Sequence, residues 1–588
     1  MINARRIRRR LALTIVAVFA VVVVFSVRLI DIQVVHAEKM SSIAGGNFRE
    51  AITWGTRGSI VDANGTVLAS SVDRFNITAA PDLVDPAGFQ RKVEVDGKTQ
   101  RVDVSFQQAV SEIAEVTGAD PAQLTTALTA DPTSKFVYLV KAVKLDTFQK
   151  VLDLKIPWVY SEPQPARSYP NGAIGGNLIG LMGTDGALSG TELKWNDCLA
   201  SSNGTTSYAV SQDGVRMPGS EVVETPAVDG GTVHLTIHSD LQWFAQQAIA
   251  EQGAAIGARW ATAMVVEVKT GKIVAAADWP TVDPNDVNSA KAEDSGARSF
   301  TAPYEPGSLI KTATVAGLLD AGLLNAGTPF TVPSEYRIGN DVVHDSWAHG
   351  TLRYTTAGIL VNSSNIGIGQ MTELQPNADR IENLKAFGFG SPTGADFLGE
   401  EDGRVRGLDT TDPVTSVTQQ FGQGMTATSA QVMSLYQTIG NHGVRIPLTL
   451  VEGCESPDGT YTPAATPEGT RVVSEYAADT TVNILENVVT NYHLGPTLAV
   501  PGYRIAAKSG TAEVAKNGRY TSDRIVSVAG VFPADDPQYA IDVTFAFPTT
   551  IKSSRAAAPT FNALAKQVIK TFRIPPSTEP APSIPLTW

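Results

Sequence analysis

The sequence predicts an α+β fold in which an antiparallel sheet is packed with helices. Two strand patterns joined by a turn, at 262–268 and 273–277, precede an apolar helix that begins near Ser308, and a further strand pattern covers 504–513. A sheet edge that leads into a buried helix is typical of α+β proteins. At 588 residues, 43% of them hydrophobic, the chain is long enough for two or more folded domains.

The first thirty residues predict a single-pass anchor in the cytoplasmic membrane. Arginines are concentrated in residues 1–10, which we expect to be a basic cytoplasmic tail, and an uncharged, mostly apolar run follows. The run is at the short end for a membrane span, and 35–37 matches a signal cleavage site. Because the run is longer than a usual signal core and is followed by Arg28 and Asp31, we favour an uncleaved anchor over 11–30. The rest of the protein then lies outside the cytoplasm.

Residues 31–232 are predicted to form an elongated, non-catalytic pedestal that holds the next domain away from the membrane. A strand pattern on each side of an Asn-Gly turn predicts a hairpin over 57–69, and helical patterns cover 105–128 and 145–154. The many glycines of this region lack the spacing of a phosphate-binding loop. Nothing in this region predicts a catalytic cluster.

The charge, the histidines and the cysteines limit which ligands and cross-links the sequence predicts. The net charge of −13 argues against a nucleic-acid partner, because phosphate binding requires a concentrated positive surface. The seven histidines form no metal-binding motif, so the sequence predicts no metal. Cys198 and Cys454 are either free thiols or one long-range bridge, and the sequence leaves both alternatives open.

The second domain, predicted over 233–574, contains a candidate nucleophile and base. Ser308 and Lys311 are three residues apart and share a helical face. A serine hydroxyl becomes a good nucleophile when a neighbouring group takes its proton, and a lysine does so only when it is neutral. Burial and a second cation both lower the pKa of a lysine. By itself the pair is more typical of an N-cap serine followed by a solvated lysine one turn on.

Two further clusters are candidates for the same cleft. Ser363 and Asn365 lie in a turn after a short helical pattern, where the hydroxyl can relay a proton and the amide can hold a substrate carbonyl. The strand that follows Arg504 contains four candidate substrate-binding residues, namely Lys508, Ser509, Gly510 and Thr511. Its lysine supplies a second cation, and the glycine indicates that a ligand or another backbone approaches closely. Taken singly, the first cluster is typical of a plain turn and the second of a sheet edge.

In this order the three clusters match the pattern Ser-x-x-Lys, Ser-x-Asn and Lys-Ser-Gly-Thr of penicillin-recognising serine enzymes. The sequence resembles the class B penicillin-binding proteins, which cross-link bacterial peptidoglycan. The resemblance extends from the anchor to about Ile574 and includes these further blocks: Tyr304–Ser308, Phe387–Gly390 with Thr393 and Gly394, Phe421–Gly424 with Thr428, Arg57 with Gly58, Arg167 with Tyr169 and Pro170, and Gly190 with Glu192. Leu309, Ile310 and Ser509 depart from commoner family residues without removing a reacting group.

The resemblance implies a transpeptidase domain of the penicillin-binding and serine β-lactamase fold, and a serine acyl-enzyme mechanism. Lys311 is expected to deprotonate Ser308, which attacks the penultimate carbonyl of a stem peptide ending in D-Ala-D-Ala. The oxyanion would lie between the backbone N–H groups of Ser308 and Thr511. The leaving D-Ala would receive a proton through Ser363, with its carboxylate near Lys508, Ser509 and Thr511. The mechanism that the resemblance implies needs no cofactor, and penicillins are expected to acylate the same serine.

Other proteins with related motifs are the alternatives to a transpeptidase. A soluble serine β-lactamase would lack the anchor and pedestal, a β-lactam sensor would have several membrane spans, and a catalytically silent scaffold would not need every reacting group. Within the class, the Pro-rich tail at 575–588 and the lack of an appended repeat domain favour a septal cell-division enzyme over an elongation enzyme. A membrane-embedded glycosyltransferase and other division proteins are then the expected partners.

Overall fold

The computed structural model describes residues 4–30, 48–95, 98–183, 186–210, 217–289, 291–407, 412–465, 468–516 and 518–588. The strands are β1 (Phe48–Thr53), β2 (Ile60–Val61), β3 (Val67–Val72), β4 (Phe75–Ala79), β5 (Phe89–Val95), β6 (Lys98–Val104), β7 (Val137–Val143), β8 (Val159–Pro163), β9 (Ala166–Ser168), β10 (Met182–Gly183), β11 (Gly186–Ala187), β12 (Gly204–Ala209), β13 (Val222–Thr225), β14 (Thr232–Leu235), β15 (Trp260–Glu267), β16 (Ile273–Trp279), β17 (Pro329–Val332), β18 (Tyr336–Ile338), β19 (Asp341–Val343), β20 (Leu352–Thr355), β21 (Val444–Arg445), β22 (Val451–Glu455), β23 (Tyr461–Pro463), β24 (Thr470–Arg471), β25 (Ala506–Lys516), β26 (Arg519–Phe532) and β27 (Tyr539–Ala546).

The helices are α1 (Ala4–Ile30), α2 (Phe106–Thr117), α3 (Pro121–Thr129), α4 (Leu145–Asp153), α5 (Gly176–Ile179), α6 (Gly190–Lys194), α7 (Asn196–Leu199), α8 (Ser239–Ile256), α9 (Arg298–Thr301), α10 (Lys311–Asp320), α11 (Thr356–Asn362), α12 (Asn365–Thr372), α13 (Asn377–Ala386), α14 (Pro413–Thr418), α15 (Ser429–Gly440), α16 (Glu475–Asn491), α17 (Gly495–Leu498) and α18 (Ala558–Phe572). Within the described ranges, no helix combines the length and the apolar character needed to cross a membrane. The anchor over 11–30 stays a prediction.

The described chain divides into two compact units. The smaller unit comprises the described residues of 1–56 and 201–229, and its strands form an antiparallel sheet in the order β1-β12-β13. The larger unit comprises the described residues of 57–200 and 230–588 and contains all three candidate clusters.

A six-stranded sheet in the larger unit joins segments that are distant in sequence. The predicted hairpin is confirmed as β2 and β3, and the Asp62 carboxylate accepts the N–H groups of Asn64 and Thr66 in the turn. Strand β14 pairs in parallel with β2 and antiparallel with β22, which carries Cys454. Cys198 and Cys454 form a disulfide, which decides between the two alternatives that the sequence left open.

Three of the sequence blocks meet at one buried carboxylate in this part of the fold. Arg57 Nε donates to Glu192 Oε2 at 2.8 Å, and Arg167 Nε donates to Glu192 Oε1 at 2.6 Å. Tyr169 also donates its hydroxyl to Oε1, at 3.2 Å, and Arg167 reaches the Gly58 carbonyl at 2.5 Å. Because the Glu192 side chain is fully buried, the two guanidinium groups supply the counter-charge that a buried carboxylate requires.

A five-stranded sheet with helices on both faces forms the centre of the larger unit. Its strand order is β16-β15-β27-β26-β25, so the predicted β15–β16 hairpin is confirmed and β25 is an edge strand. Met264 and Val266 belong to the core cluster that includes α10, α15 and α16, whereas Val265 belongs to the cluster that includes α8 and α18. This alternation is what a strand buried on both faces produces. The predicted α+β class is correct.

We predict that Glu192→Gln lowers the free energy of unfolding by about 3–5 kcal/mol, because it leaves two guanidinium groups at only 14% and 7% exposure without their carboxylate. Urea denaturation of the purified protein measures this change. Glu162→Gln, at an exposed position, is the control and should change stability by less than about 0.5 kcal/mol. A loss at position 192 as small as that of the control would contradict the assigned role of the carboxylate.

Candidate active site

The candidate nucleophile lies in a tight turn at the start of a buried helix. The sequence predicts a helix from near Ser308, whereas the structure has a 3₁₀ turn over Gly307–Ile310, and the α-helix α10 begins at Lys311. Side chains three residues apart are eclipsed in a 3₁₀ turn, so Ser308 and Lys311 still share one face. Ser308 is partly exposed and Lys311 is completely buried.

Glycines allow this turn to lie against its neighbours. Gly307 has φ +56°, in the left-handed region that favours glycine, and donates its N–H to the Gly422 carbonyl at 3.0 Å. A Cβ on Gly422 would lie 2.1 Å from the Gly307 carbonyl oxygen. On the other side, a Cβ on Gly510 of β25 would lie 3.1 Å from Leu309 Cγ and 2.3 Å from Ser527 Oγ. The sequence predicts a close approach at Gly510, and the turn that carries Ser308 packs against this glycine.

The Lys311 amine is held by the second cluster. Its Nζ donates to Asn365 Oδ1 at 2.7 Å and to the Ser363 carbonyl at 2.6 Å, and lies 3.3 Å from Ser363 Oγ. Burial lowers the pKa of Lys311 well below its usual value, and the positive charge of Lys508 lowers it further. The negative charge of Asp345 acts in the opposite direction. The net shift is downward, toward the neutral amine that a general base requires.

Lys508 reaches the same hydroxyl from the edge strand. Its Nζ donates to Ser363 Oγ at 2.9 Å and to the Ser509 carbonyl at 3.0 Å, and burial lowers the pKa of Lys508 to about 7. Ser363 Oγ thus lies between the amines of Lys311 and Lys508. A hydroxyl in this position can receive a proton from one group while it gives one to another.

The second cluster is positioned by a junction between two short helices. Ser363 ends α11 with φ +59°, an unusual conformation for a non-glycine residue that directs its side chain into the cleft. The next residue, Ser364, caps α12 by accepting the Gly367 N–H at 2.9 Å. Asn365 is the first residue of α12, so the capped helix end fixes its side chain beside Lys311.

Asp345 supports this junction and was missed by the sequence analysis. Its carboxylate accepts the backbone N–H groups of Asn365 at 2.5 Å and Ile366 at 3.0 Å and the hydroxyl of Ser364 at 2.7 Å. His349 Nε2 lies 3.1 Å from the same carboxylate. A negative charge at a helix N-terminus satisfies N–H groups that have no partner within the helix. The sequence carries no signal for this contact, because Asp345 lies twenty residues before the helix that it caps.

The third cluster occupies the edge strand β25. Lys508, Ser509 and Gly510 are buried, and Thr511 is exposed. One side of β25 pairs with β26, and its other side has no strand partner among the described residues. A free edge of this kind can pair with an extended peptide. The structure therefore brings Lys311, Ser363, Asn365 and Lys508 into one hydrogen-bonded group, and the turn that carries Ser308 packs against the edge strand.

Ser308 Oγ and Lys311 Nζ are not hydrogen-bonded to each other. None of the hydrogen bonds within the described residues joins Ser308 Oγ to Lys311 Nζ, which instead bonds to Ser363 and Asn365. Catalytic hydrogen bonds of enzymes without substrate are often long and shorten in the substrate complex. The arrangement places a partly exposed serine hydroxyl on the same face as a buried lysine of lowered pKa, and a second hydroxyl between that lysine and another buried amine.

Two family models match the chain. One, described as the penicillin binding protein transpeptidase domain, matches residues 261–566, which is more than half of the chain. The other, described as the penicillin-binding protein dimerisation domain, matches residues 52–235. These matches cover the region of the active site and most of the predicted pedestal.

Several relatives align over most of this chain. Penicillin-binding protein PbpB of Mycolicibacterium smegmatis is 33% identical over 97% of this chain and 91% of its own. Peptidoglycan D,D-transpeptidase FtsI of Escherichia coli is 28% identical over 89% of this chain and 84% of its own. The crystal structure of penicillin binding protein 3 from Mycobacterium tuberculosis, complexed with aztreonam, matches with a TM-score of 0.69 and 26% identity, over 92% of this chain and all of that one.

The fold and the three clusters define a serine penicillin-binding enzyme with a transpeptidase domain. The family models and relatives then fix its place within that class. The chain belongs to the class B penicillin-binding proteins and is a peptidoglycan D,D-transpeptidase of the PbpB and FtsI type.

We predict that Asp345→Asn moves the acid limb of the pH profile for β-lactam acylation to lower pH. Lys311 can accept a proton from Ser308 only at a pH above its own pKa, where its amine is neutral. The negative charge of Asp345 raises that pKa. Removing the charge therefore lowers the pKa and extends activity toward acid. The rate at the optimum should fall about 10-fold, because Ser364 and Asn365 lose a charged partner.

The measurement is the rate of acylation by a fluorescent penicillin between pH 5 and 9. Asp341→Asn, at an exposed position a few residues earlier, is the control and should leave the profile unchanged. An acid limb of Asp345→Asn that coincides with the wild-type limb would show that the carboxylate acts only as a helix cap.

Proposed function

We propose that this transpeptidase cross-links peptidoglycan stem peptides at the division septum through an acyl-enzyme on Ser308. The observation that carries the catalytic part is the fully buried Lys311 amine, which has a lowered pKa and lies on the same face as Ser308. The septal part is supported by the 33% identity to PbpB and the 28% identity to FtsI.

In the proposed acylation step, Lys311 removes the Ser308 proton and Oγ attacks the penultimate D-Ala carbonyl of the donor. The backbone N–H groups of Ser308 and Thr511 stabilise the oxyanion, a kind of interaction worth about 3 kcal/mol per donor. This assignment is supported by the packing of the nucleophile turn against Gly510, the residue before Thr511.

In the proposed departure step, Ser363 passes a proton to the leaving D-Ala, and Asn365 holds the stem peptide. The contacts of Ser363 Oγ with both lysines support this route. The leaving carboxylate lies near Lys508, Ser509 and Thr511. An amine from a neighbouring stem then attacks the acyl-enzyme, forms the new amide and releases Ser308. β-Lactams acylate Ser308 in the same geometry.

The proposed setting is the outer face of the cytoplasmic membrane. The basic residues of 1–10 and the apolar run within 11–30 support an anchor with its N-terminus inside. A membrane-embedded glycosyltransferase that polymerises the glycan strand is the proposed partner, together with other division proteins. The anchor and the pedestal are the surfaces that we expect these partners to contact.

We predict that Ser308→Ala abolishes covalent labelling by a fluorescent penicillin and that Lys311→Ala slows it by about 10²–10⁴-fold, the usual contribution of a general base. Gel fluorescence of the purified proteins measures both effects. Lys385→Ala removes an exposed amine and serves as the control. Labelling of the Ser308→Ala protein at the wild-type rate would refute the assigned nucleophile, and a folded wild type without label would favour a silent scaffold.

We predict that a fluorescent fusion of the full chain is concentrated at the division site. Imaging of growing cells distinguishes this outcome from a signal spread along the side wall, which would favour the elongation enzyme. The Ser308→Ala fusion is the matched control, because an inactive enzyme that still contacts its partners should be concentrated at the same place.

A further inference from the structure

We propose that residues 584–588, here called the strap, position α11 and thereby hold Ser363 and Asn365 in place for acylation. The inference rests on the catalytic roles proposed for these two residues. It assigns a positioning function to a Pro-rich segment that the sequence analysis treated only as a tail.

The strap is hydrogen-bonded to the residues that lead into α11. Thr355 donates its N–H to the Leu586 carbonyl at 3.1 Å and its hydroxyl to the Pro585 carbonyl at 2.7 Å. Tyr354 forms an antiparallel bridge with Thr587. The strap therefore extends the small β17–β20 sheet by pairing beside β20.

Side chains fix both ends of this segment. Trp588 donates its indole N–H to the Phe330 carbonyl on β17 at 3.1 Å, and the Arg353 guanidinium carbon lies 5.3 Å from the centre of the indole ring. Two residues before the strap, the side-chain amide of Asn487 on α16 donates to the Pro582 carbonyl at 3.2 Å. Ile584 and Leu586 pack against the core cluster that contains α10 and α16.

The strap acts on the residue that caps α11. Thr355 is the N-cap, and its Oγ1 accepts the Gly358 N–H at 3.1 Å while the same hydroxyl donates to the strap. A helix of seven residues has little stability of its own, so its position depends on how its ends are held. Ser363 follows the last residue of α11 directly, about 12 Å along the helix axis from the cap.

Gly358 makes this contact possible. A Cβ at this position would lie 1.9 Å from the Leu586 carbonyl oxygen, so a side chain there would displace the strap. Alanine is otherwise the better residue within a helix. Gly358→Ala should therefore be harmful when the strap is present and neutral or favourable when it is absent.

The experiment compares the full chain with a chain that stops at Ser583. The time course of acylation by a fluorescent penicillin, recorded over a range of concentrations, separates the dissociation constant before acylation from the acylation rate constant. We expect the rate constant to fall about 10-fold without the strap, because a small misplacement of the relay hydroxyl slows chemistry strongly. The dissociation constant should change less than about 2-fold.

Gly358→Ala provides the second test. In the full chain it should lower the acylation rate constant as removal of the strap does, and in the shortened chain it should lower it no further. Such non-additivity identifies two changes that act on one contact. Thermal unfolding of each protein is recorded as well, and Ser583→Ala, an exposed position next to the strap, is the control that should change nothing.

An unchanged rate constant in the shortened chain, or an equal effect of Gly358→Ala with and without the strap, would overturn the inference. If the shortened chain does not fold, Gly358→Ala and Trp588→Ala in the full chain decide the question through the same rate constant. Ser363→Ala separates this inference from the proposed chemistry. If that variant acylates normally, the relay role is wrong, and if it is slow while the strap variants are fast, only the strap inference fails.

Discussion

The active site depends on the burial of two lysine amines in one cleft. Lys311 and Lys508 are both fully buried, and neither forms an ion pair with another described residue. A buried ammonium without a counter-charge is costly, so the protein lowers the pKa of each amine and supplies neutral hydrogen-bond acceptors. The acceptors come from Ser363 and Asn365 for one amine and from Ser363 and Ser509 for the other. The three clusters are therefore one electrostatic unit, and each element that carries them has to be held accurately.

Close backbone packing provides part of that accuracy. The turn that carries Ser308 lies between Gly422 and the edge strand at Gly510, and neither position has room for a side chain. This close packing places Ser308 next to β25, whose outer edge is free within the described sheet. An extended peptide can then pair with β25 while its reacting carbonyl meets the serine. The fold thus combines a rigid reacting centre with an open binding edge.

Segments distant in sequence contact the junction that carries Ser363 and Asn365 from two sides. Asp345 binds the N-terminus of α12, which carries Asn365, and the strap binds the N-cap of α11, whose last turn leads into Ser363. Both supports act at helix N-termini, where backbone N–H groups lack partners within the helix. A junction between two short helices gains its fixed geometry from these contacts, since helices of seven and eight residues are marginal alone.

The sequence by itself determined the β15–β16 hairpin and the shared face of Ser308 and Lys311, and it identified the three candidate clusters, because these features follow from local spacing and periodicity. The family blocks also predicted the fold class. Only the tertiary structure decided that Cys198 pairs with Cys454, 256 residues away, and that Glu192 gathers two arginines. The capping role of Asp345 and the strap belong to the same group. Each is a contact between surfaces that meet only after folding, so no local pattern in the chain encodes it.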